Sequence, residues 1–131
     1  MSERPLTVVP PWRWWGGFFV TGGAASYLTV LAYREDLPGV LNKIWQFDKV
    51  MHFAVAGLLA FFLDGALRRR GILIGRRLVP LAAIGVLVPS GVEEALQVFS
   101  TIRTASLWDF AADVAGVLAF IRLSRRFGKS T

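Results

Sequence analysis

A chain of 131 residues is long enough for one domain and short for two. Apolar residues make up 54% of it and charged residues 18%, below the roughly 25% charged content of soluble domains, and mean hydropathy is +0.51, so a water-soluble globule is not expected. The absence of cysteine excludes disulfides and thiolate chemistry, and the net charge of +6 comes from basic residues crowded into short connectors, so nucleic acid is not an expected partner.

A helix needs about 20 mostly apolar residues to cross a bilayer, within a range of roughly 17 to 25. Four segments meet that length: 14–33, 50–67, 78–99 and 107–123. The first is opened by Trp12, Trp14 and Trp15, a cluster suited to the headgroup level. It is longer than the roughly 7 to 15 apolar residues of a signal peptide, so a retained span is expected. Arg34, Glu35 and Asp36 end it, and Pro38 with Gly39 punctuate a turn. The stretch from Leu37 to Phe47 is too short and mixed to span; it is expected at the interface, with Trp45 and Phe47 as anchors.

The second span starts near Asp48 or Val50 and is closed by Arg68, Arg69 and Arg70. Asp64, four residues before Arg68, is expected to pair with it along the helix. The third starts at Leu78, with Pro80 in its first turn, where a missing N–H is harmless. Pro89, followed by Ser90 and Gly91, is expected to kink or loosen its far end. Arg122, Arg125 and Arg126 close the fourth.

Basic loops resist translocation, so their distribution sets orientation. Eleven Lys and Arg fall on one side, in the N-terminal arm, the 68–77 connector and the tail, against four on the other: Arg34, Lys43, Lys49 and Arg103. The expected fold is an all-α, four-helix transmembrane bundle, a single domain over residues 1–131 with both termini cytoplasmic. Small residues four apart mark expected helix contacts: Gly22 with Ser26, Ala56 with Ala60, Ala111 with Ala115 and Ala119, and Ala112 with Gly116.

The exceptions to apolarity are the informative residues. Asp48, Lys49 and His52 open the second helix, Glu93, Glu94 and Gln97 end the third, Arg103 and Ser106 lie in the next connector, and Asp109 and Asp113 open the fourth. All belong to ends that the topology brings to the outward face. Asp48 and His52 share a helix face, as do Asp109 and Asp113, and Glu94 and Gln97. Asp113 lies about 9 Å beyond Leu107 along the helix. A charge placed inside hydrocarbon costs from about 3 kcal/mol upward, so that carboxylate needs a partner or a proton.

Asp48 and Ser106 also stand where helix N-caps belong, Ser106 with Asp109 forms a capping-box pattern, and Glu93 reads as a solvated carboxylate. The candidate polar site is therefore Asp48, Lys49, His52, Glu94, Gln97, Arg103, Asp109 and Asp113. No cofactor is expected, and no metal, because one histidine among carboxylates has no diagnostic spacing. No nucleotide-binding, zinc-hydrolase or serine-nucleophile pattern is present, so no residue is assigned a catalytic role.

The same residues carry a resemblance. Asp48-Lys49-Val50-Met51-His52-Phe53, then Glu94-Ala95-Leu96-Gln97, Arg103, and Asp109 with Asp113 and Gly116 resemble the motif set of the VanZ-like family of small bacterial membrane proteins. That set reads D-K-x-x-H-F, E-x-L-Q, an arginine, and D-x-x-x-N-x-x-G, and here it spans residues 48–116. Asp113 stands in place of the usual asparagine and Phe120 in place of a small residue. The resemblance implies a protein of the bacterial cytoplasmic membrane with a role at the cell envelope, linked to resistance to the glycopeptide teicoplanin. Expected partners are membrane lipid and a cell-wall precursor, or, in the alternative reading of an accessory protein, other membrane subunits.

Overall fold

The computed structural model describes residues 9–34, 45–101 and 105–129. These form α1 (Pro11–Tyr33), α2 (Trp45–Ala66), the strands β1 (Gly71–Ile74) and β2 (Arg77–Pro80), α3 (Leu81–Gln97) and α4 (Leu107–Lys129). The architecture is all-helical apart from the small antiparallel hairpin. The interfacial stretch expected from Leu37 to Phe47 falls largely outside the described residues, as does Arg103.

Helix α2 is the central element, packing against the other three and most extensively against α4. Glycines set that approach. A Cβ at Gly116 would strike the backbone carbonyl of Phe53, and one at Gly57 would enter the ring of Phe120. The large side chain at position 120 is thus accommodated by a glycine on the facing helix. Phe120 also meets Phe53 edge-on, with ring centroids 6.0 Å apart. Helix α1 leans on α2 in the same way, Gly17 beneath Phe62, and Trp14 over Gly65 and against Phe61.

The interior is small and the exterior large. Among the described residues eight apolar side chains are buried, four of them alanines (Ala56, Ala60, Ala82 and Ala83), while twenty-five large apolar side chains are exposed. Asp64, Gln97, Asp109, Asp113 and Ser124 are buried. The exposed large apolar side chains thus outnumber the buried apolar ones about threefold among the described residues. One helix among the described residues, over Asp48–Ala66, is long and apolar enough to cross a membrane by length and composition, where four were expected. Helix α3 is only 17 residues long and holds Glu93 and Glu94, and α4 carries acids in its first half and arginines in its last turns.

Several local expectations are corrected. The 68–77 connector is not a simple loop: β1 and β2 pair from Gly71↔Pro80 to Ile74↔Arg77, and the third helix starts at Leu81, not Leu78. Only Gly75 in the two-residue turn has positive φ, at 63°, which suits a type II′ hairpin with glycine first. Pro80 ends β2 and flanks α3 with an extended backbone, and α3 runs unbroken through Pro89. Asp64 pairs with Arg125 of α4, Nη2 to Oδ1 at 3.3 Å, and not with Arg68. Ala111, Ala115 and Ala119 lie on an exposed face of α4; Ala56 and Ala60 are buried, and Gly116 is buried with Ala112 beside it half-buried.

Candidate functional site

The start of α2, the end of α3 and the start of α4 meet at one end of the bundle, and the polar residues meet with them. His52 Nδ1 lies 2.9 Å from Asp113 Oδ1. Ser90 donates its hydroxyl to the other oxygen of Asp113. This contact fixes the orientation of the imidazole ring. Nε2 then faces two further carboxylates, Asp48 Oδ1 and Asp109 Oδ2, each 3.9 Å away.

Lys49 binds the remaining oxygen of Asp109 and lies 3.8 Å from Asp48 Oδ2. Burial is graded across this group. The side chains of Asp109 and Asp113 are 5% and 6% exposed, those of Lys49 and His52 about a fifth, and that of Asp48 47%. Asp48 forms the rim and Asp113 the floor.

The helix geometry explains the convergence. Asp48 to His52 and Asp109 to Asp113 are both one helical turn, so two parallel helices present two rungs each across a contact held close by Gly116. Helix α3 closes the third side. Ser90, Glu94 and Gln97 follow one another at helical spacing, and Ser90 reaches Asp113 while Glu94 Oε2 accepts the backbone N–H of Ser106 at 3.0 Å. The Ser106 hydroxyl in turn accepts the N–H of Asp109 at 3.4 Å. The expected capping box is thus completed from outside: Glu94 of α3, not Asp109, takes the cap residue's own N–H.

Gln97, on the same stripe, is 2% exposed, and neither its amide oxygen nor its amide nitrogen has a partner among the described residues. Glu93 is exposed, in keeping with a solvated carboxylate. Asp48 lies in the first turn of α2 and not at its cap, because the helix begins at Trp45. Seven of the eight expected site residues therefore lie at this end, and the eighth, Arg103, is outside the described residues.

Comparison of the chain with protein-family models, with curated proteins and with solved structures finds no match. The chemistry must be read from the site alone. An ammonium, an imidazole and several carboxylates within hydrogen-bonding reach can bind a group of mixed polarity and exchange protons with it. Asp48, His52 and Asp109 each direct one ligand atom to a common point, all within 4.8 Å of one another, so this trio could hold a divalent cation. Asp113 would then orient the histidine ligand from behind. Sequence reasoning missed Ser90 as a site residue. Its position four before Glu94 and seven before Gln97 was the available signal, obscured by the helix-breaking Pro89 beside it.

Proposed function

We propose that this chain is a multi-pass protein of the bacterial cytoplasmic membrane, VanZ-like in kind, whose polar end binds or processes the headgroup of an envelope lipid or cell-wall precursor. The observation that carries this reading is the excess of apolar surface: twenty-five large apolar side chains lie outside, while eight mostly small apolar side chains share the interior with three acids, an amide and a serine. Such a surface is favourable against lipid and unfavourable against water. Helix α2 supports it, since only 28% of its apolar stretch is buried although it is the central helix, whereas the core helix of a soluble protein is mostly buried.

In this reading both termini and the arginine-rich hairpin face the cytoplasm and the Asp113 end faces outward. Lys49, together with Arg103, holds an anionic phosphate or carboxylate, while His52, Glu94 and Asp109 orient the ligand or move protons. Arg103→Ala and Glu94→Gln are expected to remain folded and to lose activity in a glycopeptide-susceptibility or lipid-binding assay. Full activity in both variants would overturn the proposal.

One observation favours a second reading, that the protein is an accessory subunit of a larger membrane assembly. The Ala111, Ala115 and Ala119 face of α4 is exposed, and small residues four apart are what closely approaching membrane helices present to one another. Purification in mild detergent separates the two: a stoichiometric partner supports the assembly, and a monodisperse monomer argues against it.

A further inference from the structure

The opposite end of the bundle holds a second site of different character. Helix α2 ends in a reversal in which Arg68 N–H bonds the carbonyl of Gly65 at 3.0 Å and Arg69 N–H bonds that of Asp64 at 2.7 Å. This is the Schellman pattern, whose left-handed position is usually glycine. Here arginines occupy it and the next residue, with φ of 54° and 58°. A left-handed backbone disfavours any residue with a Cβ.

Arg69 has a structural return for that conformation. Its guanidinium donates twice to the Ser124 carbonyl, at 3.2 and 3.3 Å, and lies 5.6 Å over the Trp14 ring. Arg68 has none. It is exposed, and among the described residues no acid pairs with it or with Arg70. Both line a cleft of about 440 Å³ together with Ala66, Leu67 and Leu81. Arg68 also lines a second cleft, of about 240 Å³, beneath Trp14.

The hairpin that follows is unusual for a polar connector. Ile72, Leu73, Ile74 and Leu78 are all exposed, on both faces of a two-stranded ribbon. A lone hairpin of this kind is at best marginally stable in water. Arg76 and Arg77 sit at its tip, and from Gly65 to Val92 the chain has five arginines and no acid. Exposed apolar strands bracketed by arginines that meet no acid among the described residues match a surface of acyl chains beneath negative phosphates.

We propose that the Arg68–Arg70 cleft and the adjoining hairpin form a binding site for an anionic phospholipid, its phosphate held between the two arginines and its acyl chains against Ile72, Leu73 and Leu78. The site rests on the chain being lodged in or on a membrane, but not on any role of the acid and histidine end. Arg68 keeps an unfavourable backbone because its side chain is needed where a glycine would offer nothing.

The lack of cysteine gives a clean test. Leu73→Cys carrying an environment-sensitive fluorophore is placed in nanodiscs of phosphatidylcholine with increasing phosphatidylglycerol. The expected result is a blue shift that saturates with the anionic lipid. Its midpoint should move about fivefold for each of Arg68→Gly and Arg70→Gln, the effect of one arginine near a charged surface. Arg122→Gln, an exposed arginine late in α4, should leave it nearly unmoved.

A response equal in both lipids overturns the proposal. So does an equal effect of Arg122→Gln, which would indicate a general field and not a site, or reproduction of the shift by millimolar inorganic phosphate alone. Alkaline extraction of the membranes tests the underlying reading separately. Protein that is released yet binds phosphatidylglycerol vesicles through Arg68 and Arg70 keeps this site while ending the multi-pass reading, and protein that binds neither ends both.

Discussion

The two ends of the bundle solve the same problem, polar groups buried among apolar helices, by opposite means. At the arginine end, cations go to backbone carbonyls and to a single acid: Arg69 to Ser124, Arg125 to Arg69 and to fully buried Asp64. These contacts tie the reversal at the end of α2 to the body of α4. At the other end, side chains meet side chains across three helices, and acids outnumber the described cations: Asp48, Asp109, Asp113 and Glu94 around Lys49 and His52. The first arrangement fastens the fold, and under the proposed function the second holds the ligand-binding groups in place. Stability should therefore be concentrated at the arginine end and function at the acid end.

The sharpest way to break this contrast is at Asp64. Asp64→Asn removes the charge facing Arg125 in a position with no solvent access, and one oxygen of Asp64 has no partner even before the change. Removing one member of a buried pair typically costs 3 to 5 kcal/mol. Arg125 is about a third exposed and keeps the Arg69 carbonyl, so about 3 kcal/mol is expected here, measured by unfolding in detergent. An unchanged midpoint would show that the arginine end does not fasten the fold.

A smaller effect is expected between the two ends, where α2 and α4 approach most closely. Gly116→Leu forces a side chain against the Phe53 carbonyl, a backbone group that cannot swing aside. Overpacking of this kind costs about 1 to 3 kcal/mol. Because Gly116 lies one turn beyond Asp113, parting the helices should also separate His52 from its carboxylate. Loss of ligand binding out of proportion to the loss of stability would sharpen the comparison, and a variant normal in both would refute the close contact.

The polar end was readable from sequence because its information is local: each pair is a helical turn apart, and consecutive helices that alternate in direction place their ends in fixed relation. Asp48, Lys49, His52, Glu94, Gln97, Asp109 and Asp113 follow from those two facts. What spacing does not contain is which residue of one helix touches which of another. The Asp64 to Arg125 pair has a separation of 61 residues, and nothing near Asp64 distinguishes it from a pair with Arg68, four residues on. The hairpin was hidden because Ile72, Leu73, Ile74, Leu78 and Val79 form no alternating pattern and two arginines sit in the middle. Its one signal was Gly75 between two short apolar runs. The exposed Ala111 face shows that small-residue spacing marks a face able to pack without naming its partner.

The smallest change in stability is expected for Asp113→Asn, which places at this position the asparagine of the pattern that the sequence resembles. An asparagine can accept the His52 Nδ1–H with its oxygen and donate its amide to the Ser90 hydroxyl, so both contacts survive. If the helices lie in a membrane, as proposed, a side-chain hydrogen bond between them contributes about 0.6 kcal/mol on average, so even imperfect replacement should shift unfolding by less than about 1 kcal/mol. What changes is charge: the floor of the site loses the negative charge that an ionised carboxylate would carry. If the site binds an anionic headgroup, that change should tighten binding. Weaker binding by the asparagine variant, with stability intact, would mean that Asp113 faces a cationic group of the ligand or a bound metal.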